Sequence, residues 1–248
     1  MATFYVIGTP IGNLEDITLR ALRIFKEVDL VLCEDTRVTR TLFSKYGITT
    51  PTMSYHAQSA LSKTDTILEM LVAGKNIALV SDAGTPGISD PGSMLVSKIR
   101  EHFNTSSNDE SNSIKIESVP GPSALTAALS IAGVPCADFV FLGFLPHKKG
   151  RETLFKEMMS SERTTVFYES PHRIMKALES IVAMTGEMMA EKTDEKNAQK
   201  IAPKKITICR ELTKIFEQVV AGSPQEILAY FTQNPDKIRG EFVVIVSA

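Results

Sequence analysis

Short apolar runs alternate with longer amphipathic stretches from the start of the chain. "FYVIG" (4–8), "LVLC" (30–33), "NIALVSD" (76–82) and "IKIESVP" (114–120) predict strands. Residues 16–29 place Ile17, Leu19, Ala21, Leu22, Ile24, Phe25 and Val28 close to helical spacing, and 62–75 and 92–103 continue the helical pattern. Strands that are apolar on both faces and joined by helices imply a parallel sheet covered on both sides. The second half repeats the rhythm with more β-structure: strands over 139–146, 164–170, 205–211, 216–223 and 241–248, and helices around 151–160, 171–185 and 224–232. The expected fold class is therefore α/β in two domains. Residues 1–118 form an N-terminal α/β domain with a mainly parallel sheet, and 119–248 a C-terminal α/β domain with a mixed sheet. The joint is "VPGPSALTAAL" (119–129). Two polar stretches stand out: 104–113 reads as an exposed loop or insertion, and the charge-rich 187–205 as either a solvated helix or a flexible excursion.

Glycine and proline punctuation falls at particular places. "TPIGN" follows the first strand, "EDTR" (34–37) the second, "AGTPGISDPG" (83–92) the third and "GPSA" (121–124) the fourth. Each lies at the carboxyl end of its strand, the edge where open parallel sheets bind ligands. Turn-making alone is the competing reading. Four such segments on one edge, each with residues beyond turn chemistry, favour a site where bare main chain approaches a small molecule.

Composition narrows the ligand and partner. At 43% hydrophobic and 23% charged, with a formal net charge of −2, the chain has no basic excess to mark it as a nucleic-acid binder, although a local patch would suffice. The three cysteines form no CxxC pair, and the four histidines have no zinc-type spacing, so neither a disulfide framework nor a metal is expected. The start lacks a signal-peptide pattern and no apolar run reaches the roughly 20 residues of a membrane span, so a cytoplasmic protein is expected.

The dinucleotide fingerprint is absent: Gly8 and Gly12 are not followed by a third glycine at the required place, which weakens a nicotinamide oxidoreductase. Gly74-Lys75 precedes a strand, so it is no P-loop. No lysine or arginine lies within 81–92, while Asp82 and Asp90 do. Such a loop suits a neutral or cationic ligand. S-adenosyl-L-methionine fits, with an ammonium for carboxylates and carbonyls, a carboxylate for backbone N–H, and a sulfonium that tolerates no adjacent cation.

"TPIGNLEDITLRAL", "EDTRVTRTL", "LVSDAGTPGISDPG", "VPGPSALTAAL", "GFLP", "FYESPHRI" and "CRELTK" together resemble the bacterial 16S rRNA (cytidine-2′-O-)-methyltransferase I family of the tetrapyrrole methylase superfamily. The resemblance runs in order from about residue 4 to 248, apart from the two polar stretches. It implies a tetrapyrrole methylase-like fold of two α/β domains with a cofactor cleft between them, and a homodimer. It also implies methylation of a cytidine ribose 2′-OH in the decoding region, on 16S rRNA or the assembled 30S subunit. Carried over residue by residue, the cofactor site takes Pro10, Gly12, Asp82, Ala83, Gly84, Thr85, Ile88, Ser123 and Ala124. Leu142, Tyr168 and the segment Arg210, Glu211, Leu212 and Thr213 complete it.

Methyl transfer to a hydroxyl is mainly a matter of alignment, helped by an acceptor for the proton. Glu34, Asp35 and Glu169 are the catalytic candidates. Structural salt bridges, Asp35 with Arg37 or Glu169 with Arg173, are the competing readings, and Asp82 is also open to a loop-capping role. For substrate, "HKKGR" supplies His147, Lys148, Lys149 and Arg151, with His172, Arg173, Arg37 and Arg40 nearby in motif. These suit RNA phosphates and 2′-OH groups, or are a solvated face. Rival functions are a tetrapyrrole or diphthine methyltransferase of the same fold, and a non-enzymatic sensor of an adenosine-type ligand.

Overall fold

The computed structural model describes residues 1–56, 60–90, 92–103, 113–191 and 203–247. It divides into two units, Met1–Ser123 and Ala124–Ala248. In the first, the order is β1 (Thr3–Ile7), a 3-10 turn (Leu14–Asp16), α1 (Leu19–Glu27), β2 (Leu30–Cys33), α2 (Thr36–Tyr46), β3 (Thr52–Ser54), α3 (Ala60–Val72), β4 (Ile77–Leu79), α4 (Gly92–Phe103) and β5 (Lys115–Val119). Every pairing in the five-stranded sheet β3-β2-β4-β1-β5 is parallel.

Strand β2 shows why its residues are apolar throughout. Leu30 and Leu32 pack into one core with Ile67, Leu71, Leu95 and Ile99 of α3 and α4. Val31 and Cys33 pack into the other with Ile24 and Phe25 of α1 and Leu42 and Phe43 of α2. A strand sandwiched between helical layers has no solvent face to make polar. Helix limits follow local chemistry: the Thr18 side chain caps α1, the Asp35 side chain caps α2, and Gly47 ends α2 in the left-handed region.

The second unit contains α5 (Ala124–Ala132), β6 (Phe139–Phe144), α6 (Arg151–Ser160), β7 (Thr164–Glu169), α7 (Ile174–Glu191), β8 (Lys205–Arg210), β9 (Gln218–Gly222), α8 (Pro224–Gln233) and β10 (Phe242–Ser247). Its sheet, β6-β7-β10-β8-β9, is mixed. β6 runs parallel to β7, and β10 lies antiparallel between β7 and β8, with β9 antiparallel at the edge. Phe155 of α6, Leu178 and Ile181 of α7 and Phe231 of α8 cover one face over Phe167, Ile208 and Val244. α5 lies by β8 and β10, where the Cys209 thiol, pushed up to about 11 by burial, points at Ala128 O. A complete capping box, Ser223 with Glu226, starts α8.

The parallel sheet, the mixed sheet and the two-part organisation match the sequence expectation. Residues 119–123, placed with the second half on sequence grounds, group with the first unit here: Val119 closes β5, and Gly121 abuts Gly8. Most elements fall within a few residues of their predicted limits. α2, β3 and α5 are additions that apolar periodicity did not predict. Residues 104–112 and 192–202 of the polar stretches lie outside the described residues, and 187–191 continue α7.

The Gly8–Gly121 approach leaves no room for a side chain. A Cβ on Gly121 would lie 2.6 Å from Gly8 O, and one on Gly8 would lie 2.8 Å from Gly121 Cα. Gly121→Ala is therefore expected to lower unfolding free energy by about 1–3 kcal/mol, through overpacking against rigid backbone. Gly186→Ala, in α7 with open space around it, should instead raise it by about 1 kcal/mol. Denaturant titration of the two variants checks both signs.

Candidate functional site

Strands β2, β4, β1 and β5 are consecutive in the sheet, so the segments leaving their carboxyl ends meet. Main chain stitches three of them together. Thr9 N donates to Gly84 O at 2.9 Å and Gly84 N donates to Thr9 O at 3.0 Å, a lone antiparallel bridge between the loops after β1 and β4. The buried Thr9 hydroxyl donates to Ser81 O at 3.2 Å. Thr85 Oγ1 donates to Pro122 O at 3.3 Å, and Gly8 N to Val119 O at 3.1 Å, tying in the loop after β5. Gly84 holds φ +82°, a conformation that a side chain would strain.

The loop after β2 joins through carboxylates. Asp35 N donates to Asp82 Oδ1 at 2.9 Å, and Asp82 N to Glu34 Oε1 at 3.4 Å. Asp82 thus bonds across to a neighbouring loop. It is Asp90 that closes its own turn, accepting from Gly87 N at 2.7 Å and Gly92 N at 2.8 Å.

Pro10, Gly12, Asp82 and Ala83 line a cavity of about 230 Å³ beside Phe25 of α1 and Val38, Thr39 and Leu42 of α2. Gly84 and Thr85 are held in the stitched main chain described above, Ile88 is exposed, and Ser123 ends the unit. The structure therefore gathers Pro10, Gly12, Asp82, Ala83, Gly84 and Thr85 with Glu34 and Asp35 at one sheet edge. No lysine or arginine occurs in residues 8–13, 81–90 or 120–123.

The candidate carboxylates differ sharply. Asp35 accepts from Arg37 N at 2.8 Å as the α2 cap, and it pairs with the Arg37 guanidinium at 2.6 Å. Those bonds hold its carboxyl down at about 2. Glu34 moves the other way: desolvation first, then the Asp82 charge, raises its pKa above the ordinary value. Arg40, one turn along α2, is exposed.

Glu169, in the second unit, is buried with its side chain fully out of solvent, between Arg151 Nη2 at 2.9 Å and Arg173 Nε at 2.8 Å. The sequence offered both arginines as substrate contacts, with a Glu169–Arg173 salt bridge as the competing reading; here both pair with Glu169. His147, Lys148, Lys149 and His172 are exposed. Tyr168 OH accepts from Leu125 N at 3.1 Å, next to Ala124 at the start of α5, and its ring packs edge-on against Phe141 and Phe144. Leu142 packs on the unit's core. Arg210 is buried and donates to Arg239 O at 3.2 Å and Phe216 O at 3.4 Å. Glu211 and Thr213 both sit at positive φ, +52° and +65°, on either side of buried Leu212. Glu211 accepts from Lys214 Nζ at 2.9 Å and Glu241 N at 3.1 Å, and Thr213 N donates to Glu217 at 2.6 Å. The "RELT" segment is thus a turn fixed by its own polar groups.

Sequence reasoning did not single out Thr9, Ser81 or the α2 face. Thr9 and Ser81 look like ordinary strand-end residues, and α2 was not predicted as a helix. Among the described residues no group of His, Cys, Asp and Glu is arranged to hold a metal, and no helix is long and apolar enough to cross a membrane.

The sequence matches the family of Tetrapyrrole (Corrin/Porphyrin) Methylases over residues 3–228. It is 38% identical over 247 residues to the Ribosomal RNA small subunit methyltransferase I of Thermotoga maritima, covering 100% of this chain and 99% of that one. It is 41% identical over 243 residues to the protein of the same name from Escherichia coli O157:H7, covering 98% of this chain and 76% of that one. In structure it resembles the uroporphyrin-III C-methyl transferase from Thermus thermophilus, solved in complex with S-adenosyl homocysteine. That likeness has a TM-score of 0.60 at 15% identity and covers 100% of this chain and 97% of that one.

The lowered Asp35 carboxyl has a pH signature. Its native contacts add stability that is present above the ordinary value of 3.8 and lost as pH falls toward about 2. Asparagine also caps helices, so Asp35→Asn removes mainly the charged part. The stability gap between wild type and variant is expected to be widest above pH 4 and to shrink on acidification, read by denaturant titration across that range.

Proposed function

We propose that this chain, which belongs to the tetrapyrrole methylases and within them to the Ribosomal RNA small subunit methyltransferase I family, methylates the 2′-OH of a cytidine ribose in 16S rRNA with S-adenosylmethionine as donor. The observation that carries this reading is the cation-free edge where the loops after β1, β4 and β5 are stitched main chain to main chain, with Glu34, Asp82 and Asp90 beside them.

The donor set fits such a cofactor. Fixed carboxylates suit a sulfonium and an ammonium, and the loops after β1, β4 and β5 set no lysine or arginine against the sulfonium, Arg37 of α2 being paired with Asp35. Pro10, Gly12, Asp82, Ala83, Gly84, Thr85, Ile88 and Ser123 are the residues of the first unit that would hold it. When bound, it supplies an electrophilic methyl group with a good leaving group already in place.

The remaining work of the chain is to orient the ribose and receive a proton. Of the three candidate carboxylates, Asp35 is committed to its cap and to Arg37, and Glu169 to two arginines. Glu34 accepts one long bond, and its raised pKa makes it the stronger base. In this reading the Glu34 carboxylate takes the proton of the ribose hydroxyl as the oxygen–carbon bond forms. His147, Lys148 and Lys149 meet RNA phosphates. Whether free rRNA or the assembled small subunit is the acceptor is part of the same experiment, and a homodimer is its proposed active form, checked by light scattering.

Calorimetry should show binding of S-adenosylmethionine and none of NAD or ATP. Labelled methyl transfer should go to 30S subunits or 16S rRNA lacking the modification, and a tetrapyrrole should take none; label in the tetrapyrrole alone would overturn the RNA reading. Glu34→Gln should cut kcat by about 10²–10⁴ while leaving donor affinity within twofold. Because the base form of Glu34 accumulates as pH rises through a value above the ordinary 4.5, the wild-type rate should climb through that window, and the variant should lack the limb.

A further inference from the structure

The exposed basic turn at 147–149 stands on a buried ion-pair cluster. Glu169 Oε2 accepts from Arg151 Nη2 at 2.9 Å, and Oε1 accepts from Ser170 N at 2.9 Å and forms an ion pair with Arg173 Nε at 2.8 Å. The two guanidiniums then reach the backbone on the way into the turn. Arg173 Nη1 donates to Leu145 O at 2.8 Å, and Arg151 Nη1 to Pro146 O at 3.3 Å. On the way out, Arg151 N donates to Lys148 O at 3.2 Å, and the Arg151 guanidinium lies 5.1 Å from the centre of the Phe155 ring. Gly150, at φ +81°, makes the exit into α6. Both ends of His147-Lys148-Lys149 are thus fastened to one carboxylate, while the side chains of the three face solvent.

Stability alone is a weak reason for such a cluster. Buried ion-pair triads are commonly no more stabilising than apolar residues of the same volume, whereas deleting one member leaves buried charge uncompensated. A fixed backbone at the turn is what apolar packing would not reproduce, because it is the guanidiniums that bond the Leu145 and Pro146 carbonyls. The cluster also has two cations to one anion, so it adds one positive charge beneath Lys148 and Lys149.

We propose that Glu169, acting through Arg151 and Arg173, is a positioning residue that presets the 147–149 turn as a grip for RNA phosphates. This rests on the reading of the chain as an RNA methyltransferase. A turn already fixed in the free protein loses little freedom when phosphate arrives, and phosphate contacts set register on the RNA without reading sequence.

The test uses the full-length protein, 16S rRNA as probe, and a range of salt concentrations. Lys148→Ala with Lys149→Ala should reduce the slope of log affinity against log salt by about 1.4–1.8, the value for two lost phosphate contacts. Glu169→Gln should reduce it by a similar amount and place its loss in KM for RNA, with affinity for S-adenosylmethionine retained. The lysine substitutions added to Glu169→Gln should bring little further change. Should Glu169→Gln fold poorly, the combination Arg151→Met, Glu169→Leu, Arg173→Met keeps an apolar core and carries the same expectation.

If the lysine variant weakens RNA binding but the folded triad variants keep the wild-type slope, the cluster only stabilises the fold and the proposal is overturned. If the lysine variant binds RNA as wild type does while methyl transfer to RNA persists, the turn is no phosphate grip; the proposal fails and the methyltransferase reading stands. Absence of methyl transfer to any RNA from the wild type would sink the reading beneath it.

Discussion

The contact of Gly8 with Gly121 sets the spacing on which the candidate site depends. Two backbones approach so closely that neither position has room for a Cβ. Adjacent parallel strands β1 and β5 would otherwise send their loops apart to accommodate side chains. With the gap closed, Thr9 reaches Gly84, Thr85 reaches Pro122, and loops from separate strands form one continuous main-chain surface. Such a surface offers N–H and C=O groups at fixed positions and keeps long side chains away, which is what a compact cationic cofactor requires.

Similar residue types perform opposite tasks in this protein, and only surroundings separate them. Asp35 and Glu34 are neighbours in sequence, yet one is held ionised by an arginine and a helix terminus, and the other is pushed toward its protonated form by burial and a second carboxylate. Glu169 is neither: sealed between two arginines, it organises backbone. Poised, saturated and structural carboxylates are distinguished by their hydrogen-bond partners before any question of mechanism arises.

Much of this was legible in the residues. β2 is apolar throughout because it is sandwiched, and α4 occupies 92–103 as its spacing predicts. The bare loops and their lack of cations were visible as composition. Helix α2 was harder, since "TRVTRTLFSKY" mixes β-branched and charged residues; its signals were the Asp35 cap and Gly47. β3 is too short, at 3 residues, to show a pattern. The role of Glu169 hinged on Arg151, 18 positions away and brought near by the fold, whereas the Arg173 pairing was visible as a local spacing. The Gly8–Gly121 approach is a wholly tertiary fact, invisible to periodicity.

The polarity of the first sheet separates what can change from what cannot. Among the described residues, α1 hands back to β2, α2 to β3 and α3 to β4 at the amino ends of the strands, opposite the stitched loops. Extra residues can accumulate on that side without displacing a single atom of the ligand edge. Lineages of this fold are therefore free to vary in chain length at one rim while their chemistry stays fixed at the other.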